Sequence, residues 1–296
     1  MIRPHNKIIW ILITLALGLS ACASFSSPTP VITPSATLTP EPPTATPEPM
    51  ALTVNGEGIT VVEFDGEVAR YIAAQSVLGK TVDPATATSA VTDDFIAQLL
   101  LAQAARANGF SLDDATLQAR IDSLAAQIGG AEALETWKKN QGYDDQTFQS
   151  ALKRAAESAW MRDKIISSVP STADQVHLQQ ILLYNEDKAR SFLLQLNGGA
   201  NFDDLAFDAD PVTRGDLGWV PRGYLLDKSI EDAAFNLQVD QHSDVIATDV
   251  GFHILRILAR DPARPLSPDA LLTLRELALK NWIEEQRSPA SIVISP

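Results

Sequence analysis

The sequence is poor in the residues from which many enzymes build a reactive centre. Its 296 residues include one cysteine, Cys22, and four histidines: His5, His177, His242 and His253. One cysteine excludes an internal disulfide framework and a multi-cysteine zinc site. The histidines lack metal-ligand spacing, and the sequence contains no Gly-x-Ser-x-Gly, His-Glu-x-x-His or phosphate-loop motif. We therefore expect neither a metal nor a cofactor.

Positive charge and long apolar segments are also scarce. Lys and Arg number 23 against 37 Asp and Glu, which gives a formal net charge of -14 at pH 7. Because such a chain is repelled by polyanions, nucleic acid is not an expected partner. Beyond residue 50 the sequence contains no apolar run approaching the about 20 residues that a membrane-spanning helix needs.

The N-terminus has the pattern of a targeting segment. Arg3 and Lys7 precede an apolar run over residues 8–19 that is too short to span a bilayer comfortably. The run ends in Leu19-Ser20-Ala21-Cys22, which resembles a bacterial lipobox. The resemblance implies that residues 1–21 are a lipoprotein signal peptide and that Cys22 is lipidated, so that the protein is tethered to a membrane outside the cytoplasm. A plain signal peptide and an uncleaved anchor are the alternatives.

Residues 22–50 are dominated by Pro, Thr, Ser and Ala and cannot bury a core. We interpret them as a disordered linker, which at ~3.1 Å per residue could hold the folded part up to roughly 80 Å from the membrane.

Residues 51–170 have mainly helical patterns. Residues 51–60 predict a β-hairpin that turns at Asn55-Gly56. Phe95, Leu99 and Ala102 form a helical stripe, and Ser111 is a candidate N-cap for the next helix. Tyr143 and Phe148 have the spacing of a hydrophobic staple at the start of a further helix.

The section over residues 171–261 mixes strands and helices, which predicts a small α+β domain. The expected strands cover residues 176–183, 215–220, 245–247 and 252–258. The expected helices cover residues 187–196, a short segment that Asn201 caps and that holds Phe202, Leu205 and Ala206, and residues 230–237. The tail over residues 262–296 predicts one more helix, capped by Ser267, and an edge strand at 292–294.

Several motifs in this α+β section occur in the order typical of one family. They are Gln180-Ile181-Leu182-Leu183, Asn201-Phe202-Asp203-Asp204-Leu205-Ala206, Gly215-Asp216-Leu217-Gly218-Trp219, Arg222-Gly223, Glu231-Asp232-Ala233-Ala234-Phe235-Asn236-Leu237 and Gly251-Phe252-His253-Ile254-Leu255. The section resembles a parvulin-type peptidyl-prolyl cis–trans isomerase domain with a four-stranded sheet. The part before Pro170 is similar to the helical N-terminal domain of SurA/PrsA-like extracytoplasmic foldases. That architecture implies that the C-terminal helix packs back on the helical domain through Leu271, Leu274 and Trp282.

The parvulin resemblance implies a set of site residues. His253 falls on the second histidine position of the family, and Gln180 replaces the first histidine. Asp210 falls on the Asp/Cys position, with Asp208 as a competing choice. The substrate-binding positions fall on five apolar residues, of which Ile230 replaces an aromatic residue: Trp219, Leu225, Leu226, Ile230 and Phe235.

The chemistry of these replacements predicts weakened catalysis. Gln180 can hydrogen-bond but carries no charge, and Ile230 keeps apolar volume without a flat ring face. We expect an isomerase and foldase for unfolded or proline-containing secreted polypeptides, and a non-catalytic holdase is the alternative. His253 could instead be a packed core histidine, and Trp219 and Phe235 could be core residues.

Overall fold

The computed structural model describes residues 48–295. The predicted signal peptide, the lipidation residue Cys22 and the linker up to residue 47 lie outside the described residues. Their assignment therefore stays a prediction.

The helical part begins with the expected hairpin. Strands β1 (Met50–Val54) and β2 (Glu57–Thr60) pair antiparallel around Asn55 and Gly56. Both turn residues have positive φ, 52° and 85°, which is the conformation that an Asn-Gly turn supplies. The hairpin prediction is confirmed.

Five helices follow the hairpin: α1 (Val61–Val77), α2 (Pro84–Ala107), α3 (Asp114–Ile128), α4 (Ala131–Asn140) and α5 (Asp145–Ser167). The predicted cap of α3 is wrong, because Asp113, and not Ser111, accepts the hydrogen bond from the backbone N–H of Thr116 at 2.7 Å. Tyr143 and Phe148 pack edge to face with ring centroids 5.9 Å apart at the start of α5. The staple prediction is confirmed.

The core of the helical part contains paired charges as well as apolar side chains. Leu52 and Val54 of the hairpin pack on Phe95 and Leu99 of α2. Beside them Arg154 is bonded to Glu63, with only 8% and 6% of their side chains exposed. Burial of these two charges is possible only because each one is paired with the other. Hydropathy patterns in the sequence do not predict such a buried ion pair.

The α+β section contains β3 (Thr172–Leu183), α6 (Glu186–Asn197), α7 (Phe202–Ala209), β4 (Asp216–Pro221), α8 (Lys228–Asn236), β5 (Ile246–Thr248) and β6 (Gly251–Pro265). The four strands form an antiparallel sheet in the order β4-β3-β6-β5. Helix α8 covers one face of the sheet, and helices α6 and α7 cover the other. The predicted α+β class with a four-stranded sheet is confirmed.

The C-terminal segment returns to the helical part. Helix α9 (Pro268–Arg287) packs Ala278 and Trp282 among Leu101, Met161 and Ile165. Strand β7 (Ile292–Ile294) then pairs antiparallel with β1. The predicted return of this helix and the predicted edge strand are confirmed.

Two residues of α9 differ from the prediction. Neither Leu271 nor Leu274 joins the apolar cluster of the helical part, and Leu274 lies with Leu277 against Gly223 of the α+β section. Helix α9 therefore contacts both parts of the chain. None of the helices within residues 48–295 combines the length and the apolar character needed to cross a membrane.

Candidate active site

The sheet brings Gln180 and His253 together on the face that α8 covers. Leu178 of β3 and Leu255 of β6 belong to the core beneath α8. Because side chains alternate between faces along a strand, Gln180 and His253, each two residues away, lie on that same face. Nδ1 of His253 is 3.0 Å from Oε1 of Gln180.

The hydrogen bonds of His253 fix its tautomer. Since the amide oxygen of Gln180 can only accept, Nδ1 carries the proton and donates it. Nε2 lies 2.9 Å from the hydroxyl of Thr248, which donates to it in preference to the carbonyl of Gly251 at 3.3 Å. His253 is 5% exposed. Burial lowers the pKa of His253, and the charge of Asp227 only partly opposes this effect. The imidazole is therefore neutral at neutral pH.

A hollow of about 320 Å³ opens on one side of His253. Its apolar wall consists of Leu226, Ile230 and Val250, and its polar lining consists of Asp227, Thr248, Asp249 and His253. Leu226 is completely exposed and Ile230 is buried, so the hollow runs from solvent to the core beneath α8. Its size and apolar wall suit a small aliphatic ring.

A second hollow of about 300 Å³ lies on the side of Gln180. It is lined by Gln180, Leu182, Tyr184, Ala209, Asp210, Pro211, Thr213, Gly215 and Leu217. The bond between Gln180 and His253 thus joins residues that line two different hollows.

Asp210 lines the second hollow with a carboxylate that its own loop already occupies. Its Oδ1 accepts from the backbone N–H groups of Val212 and Thr213 at 2.9 and 3.2 Å, and its Oδ2 accepts from the hydroxyl of Thr213. These hydrogen bonds, that of the Thr213 hydroxyl first, hold the pKa of Asp210 below its ordinary value. Asp208 is exposed on α7 and lines neither hollow.

Gly215 sets the position of Gln180. Its φ is 68°, and a Cβ built on it would lie 1.7 Å from the carbonyl oxygen of Gln180. The backbone N–H of Gln180 donates to the carbonyl of Gly215 at 2.8 Å. Only glycine allows this approach, which explains the first residue of the Gly-Asp-Leu-Gly-Trp motif.

Three residues expected to bind substrate lie elsewhere. Trp219 points to the opposite face of the sheet, where its ring stacks on His177 with centroids 5.4 Å apart and Arg264 lies 4.1 Å above it. Phe235 is buried in the core beneath α8, and Leu225 packs against that core. None of the three lines either hollow, whereas Leu226 and Ile230 do.

Four further residues line the hollow beside His253 and were not predicted from the sequence: Asp227, Thr248, Asp249 and Val250. A buried histidine needs partners for both ring nitrogens, so the Thr248-Asp249 pair just before the Gly251-Phe252-His253 motif was the available signal. Within residues 48–295 no group of His, Cys, Asp and Glu could hold a metal ion.

Comparisons with known proteins agree with this architecture. A family model described as the SurA-like N-terminal domain matches residues 1–160, which is more than half of the chain. The chain belongs to the SurA-like family. A second model, described as the PPIC-type PPIASE domain, matches residues 164–261 of this SurA-like chain and includes all residues of both hollows.

Curated relatives match over part of their length. The foldase protein PrsA of Geobacillus sp. (strain WCH70) is 31% identical over 121 residues, which cover 39% of this SurA-like chain and 44% of that protein. The chaperone SurA of Methylobacillus flagellatus is 30% identical over 146 residues, which cover 42% and 33%. The chain thus spans less than half the length of either relative.

Among solved structures, the peptidylprolyl isomerase PrsA from Bacillus cereus is 18% identical to the SurA-like chain, with a TM-score of 0.43. The match covers 81% of this chain and 86% of that one.

Proposed function

We propose that this protein is an extracytoplasmic foldase that catalyses cis–trans isomerisation of peptidyl-prolyl bonds in unfolded secreted polypeptides. The observation that carries the proposal is the hydrogen-bonded pair of half-buried Gln180 and buried His253, flanked by two hollows in a PPIC-type domain.

The proposed chemistry is bond rotation. The barrier about a peptide bond is ~18–20 kcal/mol, and an X–Pro bond isomerises in tens to hundreds of seconds without help. No nucleophile is needed, because removing the amide from water and holding the proline ring both favour the twisted state. Leu226, Ile230 and Val250 supply the apolar wall for the ring.

The same site supports weakened catalysis. Gln180 stands where the family has a histidine, and its amide oxygen is already engaged by His253. The carboxylate of Asp210 accepts hydrogen bonds from Val212 and Thr213 of its own loop, so it is only partly available to a substrate. The parvulin resemblance places Ile230 where that family has an aromatic ring. We therefore propose turnover below that of an intact parvulin.

Proline-limited refolding of a model protein tests the activity. Catalysis shortens the slow refolding phase. His253→Ala is expected to cut kcat/KM by about tenfold, or about 1.4 kcal/mol, because it removes part of the wall of the hollow and leaves Gln180 and Thr248 without their partner. His177→Ala is the matched control, since His177 lies on the opposite face of the sheet. Equal rates for wild type and His253→Ala would reject the assignment. A higher rate for Gln180→His would indicate that the site keeps the geometry of an active parvulin and lacks only the first histidine.

A holdase that binds chains without catalysis is the second candidate. It is favoured by the exposed apolar side chains around the hollows, among which Tyr184 is 82% exposed and Leu226 and Val250 are also exposed. Suppression of client aggregation at stoichiometric amounts, with no change in the slow refolding phase, would select this function over the isomerase.

The proposed localisation is the outer side of a bacterial membrane, to which a lipid anchor at Cys22 tethers the protein. The support is the lipobox-like Leu19-Ser20-Ala21-Cys22. Mass spectrometry of the protein expressed in bacteria would show cleavage before Cys22 and added acyl chains. A Cys22→Ser variant is expected to leave the membrane fraction, and its retention there would contradict the anchor.

A further inference from the structure

The hollow beside His253 combines an apolar wall with two carboxylates. Asp227 and Asp249 line it together with Leu226 and Val250, and Asp210 lines the neighbouring hollow. Neither hollow has a Lys or Arg among its lining residues.

The cationic side chains of the α+β section are all engaged elsewhere. From β3 to β6 the chain has eight Lys and Arg against fifteen Asp and Glu, a net charge of -7. Four of the cations are bonded to other carboxylates: Arg190, Lys228, Arg256 and Arg260. The other four lie over aromatic rings: Lys188, Arg214, Arg222 and Arg264.

The carboxylates of Asp210 and Asp227 are ionised at neutral pH, because hydrogen bonds hold the pKa of each below its ordinary value. Hydrogen bonds from Ser229 and Ile230 keep the pKa of Asp227 below its ordinary value. Within residues 48–295 Asp249 has no hydrogen-bond donor or cation as a partner. His253 does not offset this charge, because burial lowers its pKa.

We propose that the site prefers X–Pro segments with Lys or Arg beside the proline, in basic stretches of unfolded polypeptide. This inference rests on the proposed function. A Lys or Arg stem can lie along Leu226 and Val250 while its charged end reaches Asp227 or Asp249. An acidic residue at the same position faces like charge and is disfavoured.

The test uses the intact chain and labelled peptides that differ only beside the proline. One series places Lys, Gln or Glu before the proline, and a second series places them after it. Exchange spectroscopy of each peptide gives the isomerisation rate, and shifts of its signals give the binding constant. In at least one series we expect kcat/KM to fall in the order Lys, Gln, Glu. The span between Lys and Glu is expected to be about tenfold at about 20 mM salt and much smaller at about 500 mM, because salt screens exposed charges.

Variants assign the preference to named carboxylates. Asp227→Asn keeps a good N-cap for α8, and Asp249→Asn keeps the shape of its side chain. The double variant is expected to reduce the Lys-to-Glu ratio to about threefold or less, since the charges beside the apolar wall are gone. Asp187→Asn is the matched control for each of the two single variants, because it removes one charge from α6 on the opposite face of the sheet, and it should leave the ratio unchanged.

The outcomes separate this inference from the proposed function. Isomerisation of all peptides at equal rates would overturn the charge preference and leave the isomerase intact. No isomerisation, but binding in the order Lys, Gln, Glu, would reject the isomerase and keep the preference as a property of a holdase. A ratio that falls equally in the Asp187→Asn control would overturn the assignment to this hollow.

Discussion

Gly215→Ala tests whether the close approach of two backbone segments holds the site together. The added methyl group would lie 1.7 Å from the carbonyl oxygen of Gln180 and 2.8 Å from its carbonyl carbon. Both atoms are backbone, so no side chain can turn away to make room. The loop before β4 must move away from β3, which stretches the hydrogen bond from the Gln180 N–H to the Gly215 carbonyl.

Two effects of Gly215→Ala lower the free energy of unfolding, and their contributions can be added. A residue with a Cβ at φ 68° loses about 1–2 kcal/mol in the left-handed region. Forcing a methyl group into a filled space typically costs a further 1–3 kcal/mol. The expected loss is therefore about 2–5 kcal/mol, a large fraction of the about 5–15 kcal/mol that stabilises a typical domain.

Gly218→Ala is the control that separates the two effects. Gly218 has nearly the same φ, 70°, but a Cβ built on it meets nothing within 4 Å. Gly218→Ala should therefore lose only the free energy that the left-handed backbone conformation costs, about 1–2 kcal/mol. Urea denaturation followed by tryptophan fluorescence, to which Trp219 of β4 contributes, measures the free energy of unfolding of both variants. Equal losses for the two variants would refute the argument from close contact.

Three further predictions follow from charge and packing. Burial lowers the pKa of His253 from its ordinary value of 6.5, so at mildly acidic pH the unfolded chain binds a proton at this residue and the folded chain does not. The free energy of unfolding should therefore fall as the pH drops below about 6.5, and less so in His253→Gln, when both are measured by urea denaturation between about pH 7.5 and 5. Arg154→Met should cost about 3–5 kcal/mol, because it leaves the Glu63 carboxylate buried alone, and the double variant with Glu63→Leu should recover most of that loss. Gly223→Ala places a methyl group 2.8 Å from Leu277, so a double-mutant cycle with Leu277→Ala should show a coupling of about 0.5–3 kcal/mol, and strict additivity would contradict the contact.

Local patterns in the sequence predict most of the elements. The hairpin at Asn55-Gly56, the staple of Tyr143 and Phe148, and the caps at Asn201 and Ser267 all depend on neighbours within a few residues. Such interactions are encoded locally, so one sequence suffices to find them. The Ser111 cap failed for a local reason too: two nearby residues can both cap a helix, and the chain uses the one that starts α3 later.

The site is harder to predict because it depends on which face of the sheet each residue takes. The register of β3 shifts against β4 after Leu178 and against β6 after His177. Spacing along the motif cannot show that Trp219 pairs with His177 on one face while Gln180 meets His253 on the other. Nor does a motif show that the carboxylate of Asp210 is occupied by the two residues at 212 and 213.

The hydrogen bonds of His253 restrict what the site can do chemically. Its Nδ1–H donates a hydrogen bond to Gln180, and its Nε2 accepts one from the hydroxyl of Thr248, so both ring nitrogens have a partner without a substrate. A fully bonded neutral imidazole neither gives nor takes a proton in the reaction. Catalysis must then come from the shape and dryness of the hollow and from the polar groups at its rim. It follows that the isomerisation rate should show no step as the pH passes through the pKa of the folded His253, in contrast to the sigmoidal profile that catalysis by one general acid or base would produce.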